Sequence, residues 1–415
     1  MSKLTKLLRS PKAFVADALD KRWPARKLEN RIAEAKASGK PTAILVGFSD
    51  WKTWMRQVLA DQHVVFLGHS PRVDPLLLAA IPGFPKPTVY AWSYKFPPEL
   101  RDICARHNIP LVFVEDGFVR GVGLGVAKTR PMSLAFDRQG MHFDRGTVTD
   151  LDTLLNAPGP LPQEALDVAN GVMAAMRSGV TKYMGVSKKA NLADALMLDP
   201  ERRTVLVLGQ VEDDLSIAYG MDGFMSGNDL VTRVALEHPD AQILYRPHPE
   251  SLAVAKKHYS NPKDVGHIAH VVGPEWSLHE TFLAAQEAHA ITSLAGLEAA
   301  VAGLKVHTYG MPFYAGWGFT TDHGLAATPG KRQRTRTLEE VVAAAYVLYP
   351  RYFHPLTSTS ISPKQAFQMA DNMRGHMLRI VANRTQRQER RAAEAATQMA
   401  DAATATAPAD TPSED

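Results

Sequence analysis

The chain has 415 residues, of which 45% are hydrophobic and 22% charged, and a formal net charge of +4. That length fits two globular domains better than one, and so small a positive balance gives no basis for a nucleic-acid partner while suiting anionic membranes or acidic sugars. A single cysteine, Cys104, excludes a disulfide framework and a cysteine-built metal site and points to a reducing, cytoplasmic setting.

The first residues carry Leu4, Leu7, Leu8, Phe14, Val15 and Leu19 near helical spacing, with Lys3, Lys6, Arg9 and Lys12 between them. Residues 1–40 therefore read as an N-terminal helical segment. It either packs on the first domain or makes a peripheral contact with the cytoplasmic face of the inner membrane. Asp17 and Asp20 interrupt any signal-peptide pattern, and no apolar run approaches the roughly 20 residues that span a bilayer.

Short apolar, β-branched runs follow at Thr42–Gly47, Val64–Gly68, Thr88–Trp92 and Leu111–Val114. Each precedes a helical pattern, which predicts a parallel sheet covered on both faces. These runs define a first Rossmann-like domain over 41–165. The breaker Asn156-Ala157-Pro158-Gly159-Pro160-Leu161-Pro162 closes it, and a helix over Glu164–Arg177 leads onward. A second set of runs, at Thr204–Gly209, Ile243–Tyr245, Ala288–Thr292 and Lys305–Tyr309, defines a second Rossmann-like domain over 166–335. C-terminal helices are expected over 336–384, at Leu338–Tyr349 and Pro363–Val381, with a disordered, Ala-, Thr-, Arg- and acid-rich tail over 385–415.

Ligands of open α/β sheets bind beyond the carboxyl ends of the strands, and four strand ends carry chemistry. Glu115-Asp116-Gly117 offers one carboxylate to face a cleft and one to brace a loop, with Arg120, Lys128 and Arg130 as charge suited to a sugar carboxylate or phosphate; a simple Asx-turn competes with this reading. Gln210-Val211-Glu212-Asp213-Asp214 can bind a divalent ion, supply a nucleophile or base, or cap a helix. Arg246-Pro247-His248-Pro249 holds His248 between prolines on a stiff loop, as a general acid or phosphate contact requires. In Thr292-Ser293-Leu294-Ala295-Gly296-Leu297-Glu298 a helix begins whose N–H groups, helped by the Thr292 and Ser293 hydroxyls, suit an anion, and Glu298 can accept two ribose hydroxyls. The aromatic, Gly-rich loop Tyr309–Gly318 can wall the same pocket. In a two-domain enzyme these edges face each other across a cleft.

In combination and in this order, Glu115-Asp116-Gly117-Phe118-Val119-Arg120, Gln210 to Ile217, Tyr245 to Pro249, Thr292 to Glu298 and Phe313 to Gly318 resemble the motifs of the bacterial capsule β-Kdo transferases, over about residues 88–350. The resemblance implies an α/β fold of GT-B type, with two Rossmann-like domains facing across a cleft. It implies CMP-Kdo as donor, no separate cofactor or metal, retention of β configuration, and a (Kdo-)phosphatidylglycerol glycolipid as acceptor in capsular polysaccharide synthesis and export. Carried over residue by residue, Asp214 is the nucleophile or direct stabiliser of the oxocarbenium ion, and His248 contacts or protonates the CMP phosphate. Glu115 or Asp116 is the acceptor base, Ser293 holds the phosphate and Glu298 the ribose. Thr292, Gly296, Gln210 and Arg246 complete the donor-binding set. Well-known members join two such modules in one chain, whereas this chain has room for one. A second Kdo transferase and the export machinery are accordingly expected as partners. Two alternatives stay open: a non-catalytic glycolipid-binding assembly or export factor, and a transferase using another CMP-sugar.

Overall fold

The computed structural model describes residues 28–68, 73, 75–121, 128–182, 191–249, 260–324, 330–380 and 383. The stripe from Leu4 to Leu19 and the tail from 385 lie outside them. All eight expected strands form. They are β1 (Thr42–Val46), β2 (His63–Phe66), β3 (Pro87–Trp92) and β4 (Leu111–Asp116) in the first half, and β6 (Thr204–Leu208), β7 (Gln242–Arg246), β9 (Glu287–Ala290) and β10 (Lys305–Thr308) in the second. Five more join them: β5 (Ser133–Asp137), β8 (His270–Val271), β11 (Thr321–Asp322), β12 (Pro350–Phe353) and β13 (Ser360–Ile361).

The first sheet has seven strands in the order β13-β12-β5-β4-β3-β1-β2, and the second has six in the order β11-β10-β9-β6-β7-β8. Strands β1 and β6 are buried at every residue, as central parallel strands covered by helices on both faces must be. The second sheet is parallel throughout. The first departs from the expected parallel sheet, because β5 runs antiparallel to β4, β12 to β5 and β13 to β12. The segment expected to be C-terminal helices thus divides. Leu338–Val342 and Ala343–Leu348 are helical, the latter as a π-helix, and so are residues 363–380, but between them the chain returns to the first sheet. Ser-Leu-Ala-Phe-Asp in β5 and Pro-Arg-Tyr-Phe in β12 lack the β-branched run that marks a strand in isolation. Packing makes them strands, with Leu134, Ala135, Tyr352 and Phe353 all buried.

The two halves share a core. The helix Gln163–Arg177 buries Ala165, Ala169, Val172, Met173 and Met176 against Leu338–Val342, Ala343–Leu348 and Ala295–Val301. One apolar cluster runs from Phe118, Met132 and Ala135 through this helix to Leu206, Leu297, Tyr314 and Trp317. A buried ion cluster reinforces it. Asp152, in the first-half helix Asp150–Asn156, receives Lys331 Nζ and Arg332 Nη1 of the second half, each at 2.5 Å. The same carboxylate completes a capping box with Thr149, accepting its N–H at 2.9 Å. Lys331 also donates to the Asp144 carbonyl, and Arg332 donates to the Ala315 and Phe313 carbonyls while lying over the Trp317 ring. Removing one partner of a buried pair strands the other charge at a cost of about 3–5 kcal/mol. Asp152→Ala is therefore expected to lower stability by that order, read as a lower urea midpoint; a loss under about 1 kcal/mol would show that the cluster does not hold the halves together.

Candidate active site

The carboxyl ends of the strands face a cleft of about 820 Å³ between the sheets, and all four strand-end clusters reach it. From the first half come Glu115 and Asp116, and from the second Gln210 and Asp214, Arg246 and His248, and Thr292, Ser293 and Glu298. The expected set is thereby gathered at one place, apart from Gly296. That residue is buried in the helix Ala295–Val301, where any side chain would collide with the Tyr314 hydroxyl that donates to the Ser293 carbonyl at 2.6 Å. Gly296 allows the close approach that fixes Ser293 and does not itself line the cleft.

The acidic pair divides its work. Asp116 forms an ion pair with buried Arg120, whose Nη2 also donates to the Thr129 carbonyl at 2.6 Å. Glu115 is pushed above the usual carboxylate range by burial and by neighbouring Asp116, against the opposing pull of Lys52. Lys52 itself is 6% exposed and lies 2.8 Å from the centre of the Trp92 ring; burial brings it down to about 8. Arg120 and Arg130, expected as cleft cations, are structural instead: Arg130 donates to Gln57 and to the Leu356 carbonyl. Lys95, Lys182 and Arg246 supply the positive charge that lines the cleft.

Asp214 caps the helix Leu215–Gly220, its Oδ1 accepting the Ser216 N–H and Oγ–H at 2.8 Å each. Both bonds go to Oδ1, so the cap does not use Oδ2. Behind it runs a chain of hydrogen bonds: Gln210 donates to Ser216 and accepts from the Thr292 hydroxyl at 3.1 Å and its N–H at 3.3 Å. Gln210 and Thr292 thus spend their polar groups on orienting Asp214 and joining the ends of β6 and β9. Glu212 turns away to Ser260 and the Gly227 N–H, so Glu212, Asp213 and Asp214 do not close around one ion.

His248 sits on the stiff Pro-His-Pro loop, and Gly209 lets that loop approach, since a side chain there would meet the Pro247 and His248 backbone. Burial, with Lys182 and Arg246 adding to it against Asp214, lowers His248 to about 4, so it is neutral at pH 7. Arg246 donates to the Gly273 carbonyl at 2.7 Å. Glu298 accepts the Lys182 N–H at 2.7 Å, and burial raises it to about 7.

Two cleft residues carried no sequence signal. Ser93, fully buried at the end of β3, has a left-handed backbone (φ 51°) and an Oγ with no partner. His142 rests against the Phe118, Phe143 and Phe313 rings with Nδ1 unpartnered, and burial holds it near 3. Buried polar atoms are normally satisfied, so a hydroxyl-rich ligand fits this first-half wall.

Comparison with known proteins places the chain. A family described as "Capsule polysaccharide biosynthesis protein" matches residues 89–352. The chain belongs to that family. It is 36% identical over 336 residues to the lipopolysaccharide-processing protein LpsZ of Rhizobium meliloti, covering 80% of this chain and 74% of that protein. It is 34% identical over 264 residues to the capsule polysaccharide modification protein LipA of Neisseria meningitidis, covering 64% of this chain and only 36% of LipA. Among solved structures, the β-Kdo 2,4 transferase of Thermosulfurimonas dismutans KpsC is similar at a TM-score of 0.63 and 27% identity, covering 79% of this chain and 97% of that one. The β-Kdo 2,7 transferase of the same KpsC is similar at 0.62 and 25%, covering 80% and 99%. The fold is therefore of GT-B type, and this capsule biosynthesis protein is Kdo transferase-like in its family. Among the described residues no helix is long and apolar enough to cross a membrane.

Glu298 gives a pH signature. Its folded value of about 7 lies above its ordinary 4.5, so the stability it favours is complete below 4.5 and is lost as pH rises through 7. The change is roughly 3 kcal/mol at most. Glu298→Gln keeps an acceptor for the Lys182 N–H and is expected to flatten the stability profile between these values in denaturant titrations; an unchanged slope would contradict the assignment.

Proposed function

We propose that this protein is a retaining glycosyltransferase that moves β-Kdo from CMP-Kdo to a Kdo-bearing phosphatidylglycerol glycolipid in capsular polysaccharide synthesis. The observation that carries this reading is the convergence of Glu115, from one sheet, with Asp214 and His248, from the other, on one cleft. The similarity to two β-Kdo transferase structures supports it.

The donor binds on the second half, with its phosphate near Ser293 and His248 and its ribose at Glu298. Neutral His248 donates an N–H to a phosphate oxygen, and the bound negative charge draws its pKa back up. The Asp214 carboxylate, oriented through Ser216 and Gln210, attacks the anomeric carbon. The bond from that carbon to the phosphate oxygen breaks, its electron pair leaves with CMP, and the His248 N–H and Ser293 hydroxyl stabilise the charge on the departing phosphate. Glu115 then removes the proton of the acceptor hydroxyl, whose oxygen displaces Asp214 from the same carbon. Two inversions restore the β configuration. Burial and neighbouring Asp116 raise Glu115 above an ordinary carboxylate, which suits a group that takes a proton from the acceptor hydroxyl and later returns it. Lys95, Ser93 and His142 face the acceptor, whose carboxylate and hydroxyls match their charge and unpartnered polar atoms.

The test is transfer by the purified full chain from CMP-Kdo, generated in situ, to synthetic lipid acceptors bearing one or two Kdo residues. Transfer to one of them with release of CMP is expected, and Asp214→Ala is expected to abolish it at a stability cost of only about 1 kcal/mol, the loss of one helix cap. Glu115→Gln removes turnover, and the wild-type rate falls as pH drops through the raised Glu115 value, above the range of an ordinary carboxylate. No transfer to either acceptor, or an active Asp214→Ala, contradicts the proposal. CMP-sialic acid competing as well as CMP-Kdo would move the reading to another donor, and glycolipid binding without CMP binding would move it to an assembly factor.

A further inference from the structure

We infer that the second half carries a transition-metal site built from His238, Glu287 and His289, suited to Zn²⁺ and separate from the sugar-transfer cleft. Glu287 is the first residue of β9 and His289 lies two residues further on, so both point to the same face of the sheet. His238 follows the helix Gly227–Glu237 and precedes β7. Glu287 and His238 thus stand toward the amino ends of the strands, the edge opposite the one that holds Gln210, His248 and Ser293.

The ligand atoms of these three residues all lie within 4.8 Å of one another. Nε2 of His289 is 2.8 Å from Glu287 Oε1, and Nε2 of His238 is 3.5 Å from the same oxygen. A tetrahedral zinc ion with bonds near 2.0–2.1 Å spaces its ligands about 3.3 Å apart, so the 3.5 Å pair is already close to that spacing and the 2.8 Å pair has to open by about half an ångström. His289 is fully buried and Glu287 nearly so, whereas the His238 side chain keeps 18% exposure, which gives an ion a way in.

The surroundings hold the ligands in place, as second-layer contacts do in metal sites. His289 Nδ1 meets the Tyr309 hydroxyl at 2.9 Å, and that hydroxyl lies 3.2 Å from Glu237 Oε2. The His307 ring stacks on His289 at 4.5 Å, with its own Nε2 3.4 Å from Glu287 Oε1, where it can approach the fourth position that three ligands leave open. Arg203 pairs with the other oxygen, Oε2, at 3.3 Å and touches His238 Nδ1 at 2.8 Å. Ligation through Nε2 puts the His238 proton on Nδ1, so the half-exposed Arg203 gives up that contact and keeps its ion pair with Oε2. Two imidazoles and a carboxylate favour zinc over the hard, all-oxygen cations magnesium and calcium.

The experiment uses the untagged full chain, stripped with EDTA and dialysed, then titrated with ZnCl₂ alone in competition with a chromophoric chelator while bound metal is counted by mass spectrometry. One zinc per chain is expected, with a Tm that rises with free zinc, and Co²⁺ in its place should give the visible absorption of a four-coordinate ion. His238→Gln and Glu287→Gln should each weaken zinc at least about 10-fold. His238→Gln changes a part-exposed side chain, so its Tm in EDTA should match the unsubstituted protein and separate lost binding from lost folding. No zinc bound at one equivalent, or the same affinity in both variants, overturns the inference.

Discussion

Lys331 and Arg332 meet Asp152 in a space from which water is almost excluded, and the position of one half against the other follows from that contact. Two cations on one carboxylate are tolerable in a poor dielectric only when every remaining donor finds a partner. Here they do: Lys331 reaches two carbonyls of the loop after β5, and Arg332 reaches the carbonyls of Pro312, Phe313 and Ala315. The aromatic loop of the second half is thereby tied to a helix of the first. Phe313 then packs on Phe118, 4.6 Å away and just beyond Glu115-Asp116, and Phe118 in turn meets Tyr346. Charge pairing sets the angle of approach, and ring packing fills the seam.

The active cleft inherits its geometry from this seam. Lys182, on the segment that crosses between the halves, accepts from the Arg120 N–H through its carbonyl at 3.2 Å and donates its own N–H to Glu298 at 2.7 Å. Arg120 also holds Asp116. A continuous line of polar contacts therefore runs from the acidic pair of the first half to the buried carboxylate of the second, through the backbone of one residue, Lys182. Glu115 and Glu298 stand on opposite walls of the cleft, and burial is the main force that raises both above the ordinary carboxylate range. On the donor side the Gln210–Ser216–Asp214 chain performs the same service, converting the ends of two strands into a fixed orientation for one carboxylate.

Much of this was legible in the sequence. The eight β-branched runs became strands, and the polar residues that close them became the cleft, because parallel strands put their carboxyl ends on one edge whatever the rest of the chain does. Strands β5 and β12 were not legible, since they are antiparallel, short and made strands only by the core they cover. Ser93, His142 and Lys52 were invisible for a related reason: each follows no pattern and is placed by packing between distant segments. Asp152 carries no signal of its own in the sequence, because its charge partners lie about 180 residues away. The motif resemblance led to Gly296 as a ligand residue, but the glycine there serves the Tyr314 hydroxyl. Thr292 and Gln210 likewise lie at the site while facing each other.

The account rests on one divided site, with the nucleotide on the second half and the acceptor on the first. Its most direct test is the crystal structure of the full chain with CMP bound. The phosphate is predicted between His248 and Ser293 with the ribose against Glu298, leaving Glu115 and the wall of Ser93 and His142 open to the acceptor. CMP lodged against Glu115 and Asp116, or bound outside the cleft, would contradict it.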